Sequence, residues 1–129
     1  MKTFTFKYEK NPKKSALLAM QKAIQTGNAD IRDHEMVCDG LDSMLKLMSK
    51  SRFDVFAAIV ENRPHSIYDL AKSLEKDQGN VLRDVKALES LGLIKLKPMK
   101  NGARGKFKPL PLYDRVIFEF EPKKMLVNE

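Results

Sequence analysis

The sequence predicts an α+β fold, on three observations. Thr3–Tyr8 and positions 115–120 alternate apolar with polar residues at period two, the spacing of half-buried strands. Several stretches between them repeat apolar residues at helical spacing. Between positions 66 and 108, two short helical patterns, SIYDLAKSLEK and NVLRDVKALES, sit a tight turn apart. They are followed by Gly92, a strand-like LIKLK, and a run of cations broken by Asn101-Gly102. That order is how a winged helix-turn-helix reads in sequence. The expected architecture is therefore a winged helix-turn-helix domain of about five helices with an N-terminal strand–helix extension.

Each element follows from local chemistry. Phe4, Phe6 and Tyr8 share one face of the first strand, and Asn11-Pro12 ends it. Ser15 is placed to cap a helix over 15–26, in which Leu17, Met20 and Ile24 recur at helical spacing and Gly27 offers a stop. Positions 28–34 read as a polar connection and Glu35–Cys38 as a short strand. Leu41, Leu45 and Met48, with Met44, predict one apolar helix face ending near Lys50; the methionines read as core packing rather than cofactor ligands. Ser51 permits a fresh start, and Phe53, Phe56, Ala57 and Val60 predict the inward face of a helix to Glu61.

The next helix begins at Ser66, a good N-cap with Asp69 three residues on. Ile67, Leu70, Ala71 and Leu74 face inward. Glu75-Lys76-Asp77 is the turn, and Asp77 caps a helix whose buried stripe is Val81, Val85 and Leu88; Leu82, half-way round, either completes the core, the preferred reading, or touches a thymine methyl. Gly92 supplies a left-handed stop. Leu93/Lys95/Lys97 alternate against Ile94/Leu96. Asn101-Gly102 is a hairpin-turn signal, while Pro109 and Pro111 forbid a continuous central strand. Val116, Phe118 and Phe120 give the last strand an aromatic face, so both ends of the chain offer one. Pairing them, within or between subunits, would bury both.

With 129 residues the chain is expected to form one domain with a real core. Its formal charge of +7 favours an anionic partner. The charge is uneven: residues 93–129 hold nine Lys/Arg against four Asp/Glu, with no acid between Leu93 and Tyr113. The longest strictly apolar run, from Val55 to Val60, falls far short of the ~20 residues of a membrane span, and no secretory signal pattern opens the sequence. Cys38 is the single cysteine, which suits a reducing cytoplasm and reads as a half-buried structural thiol. His34 and His65 lack the spacing of a zinc site. Gly102-Ala103-Arg104-Gly105-Lys106 lacks the spacing of a phosphate loop, and Phe107 stands where a Ser or Thr would be needed. No catalytic constellation is visible, so no enzyme activity, metal or cofactor is expected.

Double-stranded DNA is the expected partner. With Val81, Val85 and Leu88 buried, Gln78, Gly79, Asn80, Arg83 and Lys86 face outward near the start of the second helix. Gln and Asn bond adenine bidentately, Arg bonds guanine, and Gly79 lets backbone approach phosphate. Lys95, Lys97, Lys100, Arg104, Lys106 and Lys108 lie on the predicted hairpin, where a wing meets the sugar-phosphate backbone. Ser66 completes the expected DNA-binding set. The domain reading is 1–38 as a strand–helix extension serving dimerisation, 39–122 as the DNA-binding domain, and 123–129 as a tail.

The residues Ser66-Ile67-Tyr68, Leu70-Ala71, Asn80-Val81, Arg83-Asp84-Val85, Leu88 and Leu91-Gly92-Leu93-Ile94 give the chain a core that resembles a MarR-like group of prokaryotic winged-helix regulators. The N-terminal strand and helix and the C-terminal PLYDRVIFEF also look like that group. Gly79 departs from it, standing where a bulkier or charged residue is expected. The expected protein is a sequence-specific transcriptional repressor, and the aromatic strands at positions 3–8 and 115–120 lead us to expect a dimer. Some relatives are similar to TumA-type antitoxins, which bind their toxin and repress their own promoter; that implies an alternative, neutralisation of a protein toxin with weak DNA binding.

Overall fold

The structure is a computed structural model that describes residues 2–9, 13–26, 34–99 and 106–120, without the side chains of Ser15 and Thr26. The fold is mixed α and β, in the order β1 (Thr3–Tyr8), α1 (Lys14–Thr26), β2 (Glu35–Cys38), α2 (Leu41–Leu47), α3 (Lys50–Asn62), α4 (Ile67–Leu74), α5 (Gln78–Ser90), β3 (Ile94–Pro98), β4 (Phe107–Pro111) and β5 (Arg115–Glu119). No described helix is long and apolar enough to cross a membrane.

The two ends of the sequence meet in one three-stranded sheet of order β2-β1-β5, with β1 parallel to both neighbours. Alternation along β1 sends Phe4 and Phe6 entirely into the core and Tyr8 nearly so. In register beside them lie Val116 and Phe118 of β5 and Met36 and Cys38 of β2. Phe6 stacks on Phe118 with ring centroids 5.3 Å apart, and Phe4 meets Phe6 edge-on at 5.0 Å. The aromatic end strands therefore pair within a single chain. Met20 and Ala23 of α1 join the same buried cluster, which continues without a break into the helices that follow.

Helices α3, α4 and α5 pack together, and β3 and β4 form an antiparallel pair against them. Ser66 Oγ accepts the Asp69 N–H at 3.1 Å, and Asp77 Oδ2 accepts the Asn80 N–H at 3.1 Å, so both predicted caps start their helices. Val81, Val85 and Leu88 are fully buried. Leu91 closes α5, and Gly92 follows at φ 82°, a left-handed conformation that favours glycine. All three prolines of the β3–β4 pair stand where no ladder donor is needed. Met99 N–H donates to Lys106 O at 3.2 Å, and from there the alternation puts Lys97/Lys108 and Lys95/Leu110 at hydrogen-bonded positions. Pro98, Pro109 and Pro111 fall between them.

Several local expectations are corrected. The buried face of α2 is Met44, Leu47 and then Met48, while Leu41 and Leu45 are exposed. In α3 the inward set is Val55, Phe56, Ala58 and Ile59; Phe53 and Ala57 are exposed and Val60 is half-buried. Both helices carry overlapping apolar stripes, and the elements packed against them decide which one is covered. Ser49, not Ser51, caps α3, accepting the Arg52 N–H at 3.2 Å. Helix α1 begins at Lys14, one residue before Ser15. Cys38 is fully rather than half buried, and desolvation followed by the charge of Asp39 pushes its thiol up to about 12. At neutral pH it is a core thiol, far from a nucleophilic thiolate. Leu82 is 39% exposed and lies outside the core. Gly27, Asn101 and Gly102 lie outside the described residues.

Candidate nucleic-acid interface

Strand alternation sorts the β3–β4 pair into two unlike faces. Ile94, Leu96, Phe107 and Pro109 turn toward the protein, where Ile94 and Pro109 are buried. Lys95 and Lys97 of β3 share the opposite face with Lys108 of β4 and Lys106 just before it. Lys97 and Lys108 stand directly across the ladder from each other. Like charges in that position repel, so an unliganded hairpin carries them at a cost. Among the described residues no carboxylate pairs with any of these four lysines.

An open cleft of about 540 Å³ lies where the starts of α4 and α5 approach this pair. Ser66, Gln78 and Lys106 line it together with His65, Tyr68, Asp69 and Met99. The N-terminal ends of two helices thus border one hollow, where the helix dipoles favour an anion and the Asp69 carboxylate opposes one. The Ser66 oxygen is engaged in the cap, and its hydroxyl proton is not consumed by that bond.

On the other flank of the α5 start, a cleft of about 370 Å³ gathers Asn80 and Arg83 with Ser51, Lys76, Asp77 and Asp84. The acids that dilute the positive charge of α5 in sequence have structural work here. Asp77 caps the helix, and Asp84 accepts the Ser51 hydroxyl at 2.5 Å, tying α5 to α3. Gly79 is exposed in the first turn, and a Cβ there would sit 3.1 Å from the Asp77 carboxylate. Glycine at this position therefore leaves room for the capping group.

Ser66, Gln78 and Lys106 are brought into one cleft, and Asn80 and Arg83 into its neighbour. Gly79 and Lys86 are exposed on α5 outside both; Lys95, Lys97 and Lys108 lie on the hairpin face, Lys108 half-buried. Lys100 and Arg104 fall outside the described residues. Sequence reasoning missed Tyr68, His65, Met99 and Lys76. The signal for Tyr68 was present: it directly follows the first residue of the Ile67/Leu70/Ala71/Leu74 stripe and must point away from it, and it is 59% exposed.

An α+β protein with a lysine-faced hairpin beside two capped helix starts is what the fold and this surface define. Residues 47–118 match the family model HVO_A0114, more than half of the chain, and the protein belongs to that family. The match covers α3, α4, α5 and the β3–β4 pair, along with most of β5, and leaves out β1, α1, β2 and all of α2 but Leu47. No curated protein and no solved structure matches the chain.

Proposed function

We propose that the protein is a winged helix-turn-helix regulator that binds double-stranded DNA in a sequence-specific way and represses transcription. In this reading α4 and α5 are the helix-turn-helix, α5 is the reading helix and β3–β4 is the wing. The observation that carries it is the co-facial set Lys95, Lys97, Lys106 and Lys108, with Lys97 opposed to Lys108 and no ion pair to any of the four among the described residues. A row of phosphates relieves that repulsion and releases counterions. Gln78, Asn80 and Arg83, exposed at the start of α5, supply the hydrogen-bonding groups that read base edges. Exposed Leu82 adds an apolar contact of the kind that meets a thymine methyl. The resemblance of the α4–α5 segment to MarR-like regulators supports the same reading. A toxin-masking role would call for apolar surface at the N-terminus; there Phe4 and Phe6 are inside the core, and Leu18 of α1 is exposed.

The test is fluorescence anisotropy on a duplex from the protein's own promoter region and on a scrambled duplex, across a salt series. Lys95→Ala, Lys97→Ala, Lys106→Ala and Lys108→Ala each weaken both duplexes alike. Each lowers the slope of log affinity against log salt by roughly 0.9 for every phosphate that is no longer neutralised. Wild-type slopes in all four variants would remove the wing from the DNA and overturn the proposal.

A further inference from the structure

The outer edge of β5 has the features of a self-complementary strand. Arg115 N–H donates to Lys2 O at 3.2 Å, so the backbone groups of Arg115, Ile117 and Glu119 turn toward β1. Those of Val116 and Phe118 turn the other way, and among the described residues no strand pairs with them. The side chains divide as cleanly. Val116 and Phe118 sit on the core face, where Phe118 stays 37% exposed and meets the half-open ring of Phe53 at 6.3 Å. Arg115, Ile117 and Glu119 sit on the opposite face, with both charged residues exposed.

We infer that two copies of this chain pair antiparallel through β5, about a two-fold axis at Ile117. That register is the one that engages all five residues of the strand. It sets Arg115 of each copy opposite Glu119 of the other, so two ion pairs form across the axis. It also places Val116 opposite Phe118 on the core face, which covers the exposed margin of Phe118 with apolar surface. The outward backbone groups of Val116 and Phe118 become the hydrogen-bonded positions, while Ile117 and the ion pairs occupy the close, non-hydrogen-bonded ones. Lys7, in register with Glu119 on the same face, extends each ion pair into a row of alternating charge. The two three-stranded sheets become one six-stranded sheet with both exposed β5 edges removed. This inference is independent of nucleic acid and stands or falls without the DNA reading.

Light scattering across a dilution series of the full chain should show a dimer that dissociates on dilution. Arg115→Glu and Glu119→Arg each place like charges opposite one another twice per dimer and weaken association by roughly tenfold or more. The double swap Arg115→Glu with Glu119→Arg restores opposite charges and brings association back toward wild type. Independently of charge, Ile117→Cys gives a rapid disulfide-linked dimer under mild oxidation, since residues opposed at the axis lie within disulfide reach. Glu61→Cys, exposed on α3, does not. A monomer at every concentration overturns the inference, as does a dimer indifferent to both charge reversals, or an Ile117→Cys variant that links no faster than Glu61→Cys.

Discussion

The two sheets of this protein are built from strands of nearly the same length and do opposite things. In β2-β1-β5 the alternation turns Phe4, Phe6, Met36 and Cys38 inward, and the strands lie far apart in sequence, Thr3 being in register with Arg115. In β3–β4 the partners are close in sequence, and the alternation turns lysines outward against each other. The first sheet closes the fold at an entropic cost of ordering distant segments. The second rides on α3 and α5 and displays charge. Stability and the proposed recognition are thus carried by different sheets, and a substitution in one should leave the other's property intact.

Phe6→Ala attacks that separation most severely. It removes a fully buried ring stacked on Phe118 and should lower unfolding free energy by ~3–5 kcal/mol in urea titrations. The surviving folded fraction should keep the wild-type salt slope for DNA; a changed slope would show that the two sheets are coupled. Arg83→Ala, on the recognition side, should cost ~1–3 kcal/mol on a cognate duplex and little on a scrambled one, with an unchanged urea midpoint, if the guanidinium reads a base. Equal losses on both duplexes would assign it to phosphate.

Alkaline pH separates the sheets without cutting a side chain from either. The Cys38 thiol ionises at about 12 in the folded chain against 9.0 for an unperturbed thiol. The native state keeps its proton where the unfolded chain releases it. The stability from this site is therefore complete below about pH 9 and falls as pH rises toward 12, by up to ~1.4 kcal/mol per pH unit. Cys38→Ala should flatten that decline relative to the parent when urea midpoints are compared at about pH 8 and about pH 10; parallel declines would show that the thiol is not the source. The smallest effect is a gain. Lys97→Thr relieves its opposition to Lys108 and should stabilise the chain by ~0.2–1 kcal/mol while weakening DNA binding. A loss of stability would mean that the lysines do not repel in the free protein.

The same contrast explains what was legible in the sequence. Helices α4 and α5 announce themselves within a dozen residues each, through Ser66, Asp77, the 3–4 spacing of Val81, Val85 and Leu88, and Gly92. Their outward residues follow by subtraction. The strands at the chain ends were equally visible as strands, but their parallel register spans more than a hundred residues and leaves no local mark. For α2 and α3 the error lay in choosing between two apolar stripes. Leu41 and Leu45 are as apolar as Met44 and Leu47, and the choice belongs to α1 and β2, which pack on α2. The lysines of the hairpin could be counted in advance. Their shared face and the opposition of Lys97 to Lys108 emerged only with the register.

The parallel pairing of β1 with β5 also sets a timetable on the ribosome. Phe4 and Phe6 are synthesised more than a hundred residues before Val116 and Phe118, their neighbours on the core face. At a usual rate of translation that interval is on the order of ten seconds. Once β2 is made, β1 has a strand on one side and still waits for β5 on the other, with aromatic rings at an open edge. The nascent chain is therefore prone to self-association until β5 emerges, and a ribosome stalled upstream of Arg115 would hold it there.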